Sequence, residues 1–183
     1  MKVSDNVNIV HDGEILAILP RYTERGDGTV IVSCDGKEVF YSKGEKPVLK
    51  EICNRYCKDI HLMRDWARQY TGQKIWMPLG FSWELVLVPM RIRGPKIQGD
   101  ETLGYFNYLH INDAVEVDNK VYLVMENNTR YLVLWSLDTV KQHLKDAMLI
   151  HSMMTQRLDD TLWQRLSRAI FFNGPVVVRR YYK

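Results

Sequence analysis

Cysteine is scarce in this chain. Cys34, Cys53 and Cys57 are the only three among 183 residues, too few for the disulfide framework that supports small secreted domains. No stretch approaches the roughly 18 consecutive apolar residues of a membrane span. The opening MKVSDNVNIVHDGE carries acids where a secretory leader carries an apolar run. A soluble, cytoplasmic protein without membrane contact is expected. Signature motifs of catalysis are missing too: there is no G-x-S-x-G, no P-loop and no H-E-x-x-H. His11-Asp12 runs into the Gly13 of a turn, and His110 has no neighbouring nucleophile. The expectation is a non-enzyme without a cofactor. Repeats and low-complexity tracts are also absent. The hydrophobic fraction of 46% supports one good core.

The cysteines raise the question of a metal. Cys53, Cys57 and His61 stand at i, i+4 and i+8, one face of a helix if the helix is continuous. Eight residues rise about 12 Å, whereas zinc–ligand bonds are about 2.0–2.3 Å, so the three cannot share one ion. Cys53 and Cys57 also fit an apolar stripe. They are read as core residues, with no metal.

Turn chemistry divides the first forty residues into four short strands. NIVHDGEILAILP reads as a hairpin on Asp12-Gly13, and TVIVSCDGKEVFY as a second on Asp35-Gly36. From Lys46 to Tyr70 the apolar period becomes helical, with Pro47 in the first turn and Thr71-Gly72 as the stop. Strands return at Lys74–Pro78 and Phe81–Met90. ELVLVPM is apolar on both parities, as in a strand buried on both faces until Pro89 ends its pairing. Tyr105–Ile111 is read as an aromatic strand whose rings are buried, and Glu116–Ser136 as a meander turning at Asp118-Asn119 and Asn127-Asn128. Asp138 is placed as the cap of a helix with Val140, Leu144, Ala147, Met148 and His151 on one stripe. Asp159 or Asp160 is placed as the cap of a second. Asn173-Gly174-Pro175 reads as a stop before a last strand, VVVRRYYK. The expected fold class is α+β: a mainly antiparallel, barrel-like or sandwich sheet, one central helix near 47–70 and a helical C-terminal segment. Residues 1–136 form the β-rich core and 137–183 the C-terminal segment.

Charge segregates along the chain. Residues 46–96 hold ten Lys/Arg against four Asp/Glu, while residues 97–154 hold four against eight. A basic face attracts polyanions unless acidic segments fold against it. In VPMRIRGPKIQGD the cations Arg91, Arg93 and Lys96 flank Gly94-Pro95, read as a tight turn. Arginine on a narrow loop fits the DNA minor groove, about 6 Å wide, where A-tracts deepen the negative potential. Arg91, Arg93 and Lys96 are the first candidates for DNA contacts. Lys74, Arg64 and Arg68 are secondary candidates, as phosphate clamps.

Several segments resemble the competence transcription factor (ComK) family. DGEILAILP is similar to its early strand ending in Leu-Pro, and VFYSKGEKPVLKEIC to its run into a cysteine-containing segment. KIWMPL, an apolar strand ending in VPM, a variable loop and GYFNYLHI keep the family's order, ending in an aromatic strand with a late histidine. The resemblance covers roughly residues 9–112. MRIRGPK and LGY stand where the family carries Ser/Thr-rich residues, a Cys and a Trp. It implies a regulator that activates DNA-uptake genes. Such a regulator reads paired AT-rich boxes of double-stranded DNA through the minor groove. It also implies homo-oligomers and control by an adaptor and a Clp protease. The alternative drawn from the residues alone is a non-enzymatic interaction adaptor of a phage or mobile element, using its apolar and aromatic strands as an interface.

Overall fold

The computed structural model describes residues 2–3, 14–24 and 26–171. The hairpin expected on Asp12-Gly13 and the last strand, VVVRRYYK, lie outside the described residues. The fold class is α+β, built on two sheets among the described residues. The larger has seven strands in the order β1-β4-β3-β2-β7-β6-β5. These are β1 (Lys2–Val3), β2 (Ile15–Thr23), β3 (Gly26–Ser33), β4 (Glu38–Tyr41), β5 (Leu79–Gly80), β6 (Val86–Arg91) and β7 (Leu103–Asn107). The smaller has three: β8 (Ile111–Val117), β9 (Lys120–Met125) and β10 (Arg130–Val133). All pairings are antiparallel except β1 with β4. Neither sheet closes into a barrel among the described residues; the arrangement is sandwich-like.

Strand alternation sorts the large sheet's side chains into two cores. Val30, Val32, Val86, Val88, Met90 and Phe106 face one side, where they join Leu123, Met125 and Val133 of the small sheet and Val140, Ala147 and Ile150 of the C-terminal helix. Ile18, Ile31, Leu87 and Tyr105 face the other, against Val48, Leu49, Ile52 and Met63 of two helices. Strand β6 is therefore buried on both faces, as its composition predicts.

Two prolines sit inside strands, and pairing does not stop at either. Pro89 stands opposite Tyr105, and the ladder continues to Arg91 and Leu103. Strand β5 covers β6 only at Val86 and Leu87, so Pro89 lies where the second neighbour has already ended. Pro20 is alike, past the Ala17 and Ile18 that pair with β7. A missing N–H costs least at an uncovered edge.

The expected central helix is two helices. α1 spans Glu45–Arg55 and α2 spans Ile60–Thr71. Cys57 sits in the left-handed region at φ 51°, and the Lys58 N–H closes on the Cys53 carbonyl at 2.9 Å. Asp59 then caps α2, accepting from His61 N and Leu62 N at 2.8 and 2.9 Å. An apolar period that runs through the break conceals it from periodicity.

Three more expectations give way. Lys74–Pro78 forms no strand, and Phe81–Glu84 is a turn, with Phe81 and Ser82 both donating to the Leu85 carbonyl. The aromatic strand ends at Asn107, and a 3-10 turn, Tyr108–His110, follows. Buried Asn107 explains the break. Its side chain accepts from Leu109 N and Val86 N and donates to the Glu84 carbonyl at 3.1 Å, fastening the strand end to the neighbouring turn. The C-terminal pair of helices is one helix, α3, spanning Leu137–Phe171. Ser136, not Asp138, caps it, and Asp159 and Asp160 lie within it. Its inward stripe includes His143, Asp146 and Ile150, while Met148 is exposed. The meander turns stand as expected. Asp118 and Asn119 both have positive φ, the requirement of a two-residue hairpin, as does Asn128.

Candidate nucleic-acid interface

A groove of about 360 Å³ opens on the α1/α2 side of the large sheet. Lys46 enters it from α1, Arg64 and Arg68 from α2, and Lys74 from the segment that follows. Arg64 and Arg68 share a face because they are one helical turn apart. Lys74 arrives because Gly72, at φ 68°, ends α2 and reverses the chain. The three secondary cations read from the sequence are thus brought together, with Lys46 added. Arg68 also pairs with Asp65 at 2.8 Å, an exposed contact of small energetic weight.

The groove has an acid in its floor. Glu45 is 5% exposed. Burial, with Glu101 nearby, pushes its carboxyl up to about 8. Tyr105 lies beside both Glu45 and Arg64, and burial raises its hydroxyl well above the usual phenol range. One carboxyl oxygen of Glu45 has no partner among the described residues. Glu101 stands at the N-terminus of α1, accepting from Glu45 N at 2.5 Å and from Lys46 N at 3.4 Å. It takes the place of a side-chain cap, since the N-cap is Gly44. A Cβ at Gly44 would meet the Glu101 carboxylate at 3.1 Å, so glycine suits this approach.

Trp76 forms one wall. It is 43% exposed and holds φ 58°, a left-handed conformation unusual for a bulky residue. Trp135 packs on it with centroids 5.0 Å apart, and His143 stacks on Trp135 at 4.7 Å and 15°. The His143 ring lies beside the Trp76 backbone, and burial lowers its pKa. The indole is therefore held in place by an aromatic stack that reaches α3.

The primary candidates fare differently. Arg93 does not project from a tight loop. Its guanidinium binds both carboxylate oxygens of Asp27 at 2.8 and 2.7 Å, Nε donates to the Glu101 carbonyl at 2.6 Å, and the group lies 4.0 Å from the Tyr22 ring centroid. It is a strut, with a side chain 14% exposed. Gly94-Pro95 is not the turn. The chain reverses at Ile97–Asp100, where Gly99 has φ 98° and the Asp100 carboxylate accepts from Lys96 N and Ile97 N at 2.8 and 2.9 Å. Tyr22 also donates to that carboxylate. The Lys96 ammonium rests 4.3 Å from the Tyr22 ring centroid. Arg91 is the candidate that points to solvent. It is exposed and pairs with Leu103. Paired residues share a sheet face, and Leu103 lines the groove, so Arg91 belongs to its rim.

The remaining candidates separate. Cys53 is buried at the end of α1, where burial raises its thiol; Cys57 is exposed in the break, and His61 lies on α2. They do not share one helix face, and no group of three metal-ligating side chains occurs among the described residues. Among the described residues no helix is long and apolar enough to cross a membrane. Sequence reasoning missed Lys46, Glu45 and Trp76. Trp76, in GQKIWMP, carried a usable signal: an aromatic residue next to a helix stop and a cation. Comparison of the chain with protein-family models, with curated proteins and with solved structures gives no match.

Proposed function

We propose that this protein is a sequence-specific DNA-binding regulator that contacts AT-rich duplex DNA and assembles as a homo-oligomer. One observation carries the reading: Lys46, Arg64, Arg68 and Lys74 converge from three segments around an exposed tryptophan, with Arg91 on the rim. Such a surface suits a phosphate backbone. Arg91 is the cation left for a minor groove, since Arg93 is committed to Asp27. The resemblance of residues 9–112 to competence factors favours AT-rich duplex DNA and activation of DNA-uptake genes.

The test is a titration of AT-rich and GC-rich duplexes at several salt concentrations. Four to five phosphate contacts give a slope of log K against log salt of roughly −4. Arg68→Gln with Lys74→Gln should flatten it by about 2. A flat response in the wild type removes DNA as the partner. It would favour the adaptor reading, which has its own support. Leu62 is 69% exposed beside a cavity of about 490 Å³ lined by Met63, Trp66 and Met154.

A further inference from the structure

The groove can meet a duplex only at its phosphates, and it holds more than a phosphate contact needs. A phosphate clamp requires cations alone. This one adds the indole of Trp76, which leans on Trp135 with the residue still 43% exposed. A flat apolar wall beside a cluster of cations fits a ligand that is itself part flat ring and part anion. Its volume of about 360 Å³ is at the low end of the range for small-ligand sites. In a duplex the base faces are hidden by their neighbours, and only an unpaired nucleotide offers one.

We propose that this groove receives one unpaired deoxynucleotide, its base laid against the open face of Trp76 and its phosphate held among Lys46, Arg64, Arg68 and Lys74. The proposal rests on the reading of the groove as a nucleic-acid contact. Three further features support it. The left-handed backbone at Trp76 is an uncommon conformation that the Trp135–His143 stack holds in place, so the platform is ordered before the ligand arrives. Glu45, the acid in the floor, has its carboxyl pushed up to about 8 and carries little charge at neutral pH, so it does not oppose a phosphate. Its carboxyl oxygen without a partner is itself buried, and so is withheld from a phosphate in the groove. The groups facing that carboxyl are Lys46, Arg64, Glu101 and Tyr105.

The same chemistry is offered by a free nucleotide and by a nucleotide within a single strand. The full chain is titrated with dAMP, with a fluorescently labelled eight-residue deoxyadenylate strand, with inorganic phosphate and with the AT-rich duplex. Binding by dAMP assigns a free-nucleotide site; binding by the strand but not dAMP assigns a single-strand site. Either supports the proposal, provided tryptophan emission is quenched on binding. Trp76→Leu should weaken the strand roughly 5- to 150-fold, the range of base–aromatic stacking. Trp76→Phe keeps a ring, so affinity should stay within about threefold while the quench disappears. The proposal is overturned if Trp76→Leu and Trp76→Phe both leave strand affinity unchanged, or if inorganic phosphate competes as well as dAMP. It is also overturned alone if the duplex binds with its salt slope but neither dAMP nor the strand does. If duplex, strand and dAMP all fail to bind, the DNA-binding reading falls with it.

Discussion

Glu45 shows how one buried side chain can set the response of a protein to pH. Its carboxyl is raised from the ordinary value of 4.5 to about 8 by burial and by Glu101. The folded state therefore holds a proton that the unfolded chain releases above its lower pKa. Stability from this group is full below about pH 4.5 and is lost as pH rises through about 8. Each unit of pKa is worth about 1.4 kcal/mol, so the decline is on the order of 3–5 kcal/mol. Urea denaturation of the wild type at pH 5, 7 and 9 should show it, and Glu45→Gln should remove most of the slope. A wild type equally stable at pH 5 and pH 9 would place the carboxyl in water. Arg93 makes the opposite point. Sequence spacing presents it as a cation on a loop, but spacing gives no view of Asp27, 66 residues away. Arg93→Ala should cost about 2–4 kcal/mol, because it leaves the partly buried Asp27 carboxylate without its ion-pair partner. Any loss of DNA affinity should be equal on AT-rich and GC-rich duplexes. A selective loss on AT-rich sites at unchanged stability would return Arg93 to the groove-reading role.

Elements were legible where a local rule decides them. Asp118-Asn119 and Asn127-Asn128 turn because asparagine and aspartate tolerate positive φ, and each turn follows from two residues. The double apolar parity of β6 likewise announced a buried strand. The illegible elements depend on distant partners. Asn107 ends β7 by reaching Val86 and Glu84 in another hairpin. The α1–α2 break hangs on Cys57 and Asp59, neither of which interrupts the apolar stripe. Both are open to test by thermal melting. Asp59→Ala removes the cap of α2 and should cost about 1 kcal/mol. Cys57→Gly relieves a left-handed side chain that is exposed in any case, and should stabilise by about 0.5–1 kcal/mol. A lowered melting temperature for Cys57→Gly would show that the thiol contributes packing or chemistry there. Asn107→Leu leaves Val86 N and Glu84 O without their side-chain partner and should cost roughly 1–3 kcal/mol.

For the whole molecule, the sequence disclosed a basic segment but not its assembly. The excess of cations over residues 46–96 is partly spent within the fold, as Arg93 is on Asp27. What survives is gathered by topology. Strand β7 lies between β2 and β6, and its Leu103 and Tyr105 form a wall that α1 and α2 cover from above. No window along the chain contains Glu45, Arg64, Trp76 and Tyr105 together, so only the folded sheet could make the groove visible.

The packing of Trp76 on Trp135 makes an optical reporter as well as a wall. Two indoles with centroids 5.0 Å apart and planes inclined by 37° couple their excited states, and such a pair gives a two-signed circular-dichroism band that isolated tryptophans lack. Trp76 belongs to the chain between α2 and β5, and Trp135 to the link from β10 into α3. The band therefore registers whether two distant parts of the chain are docked. It should vanish in Trp135→Phe while the helix content is preserved. During denaturation it should follow the seating of α3 separately from the loss of helix.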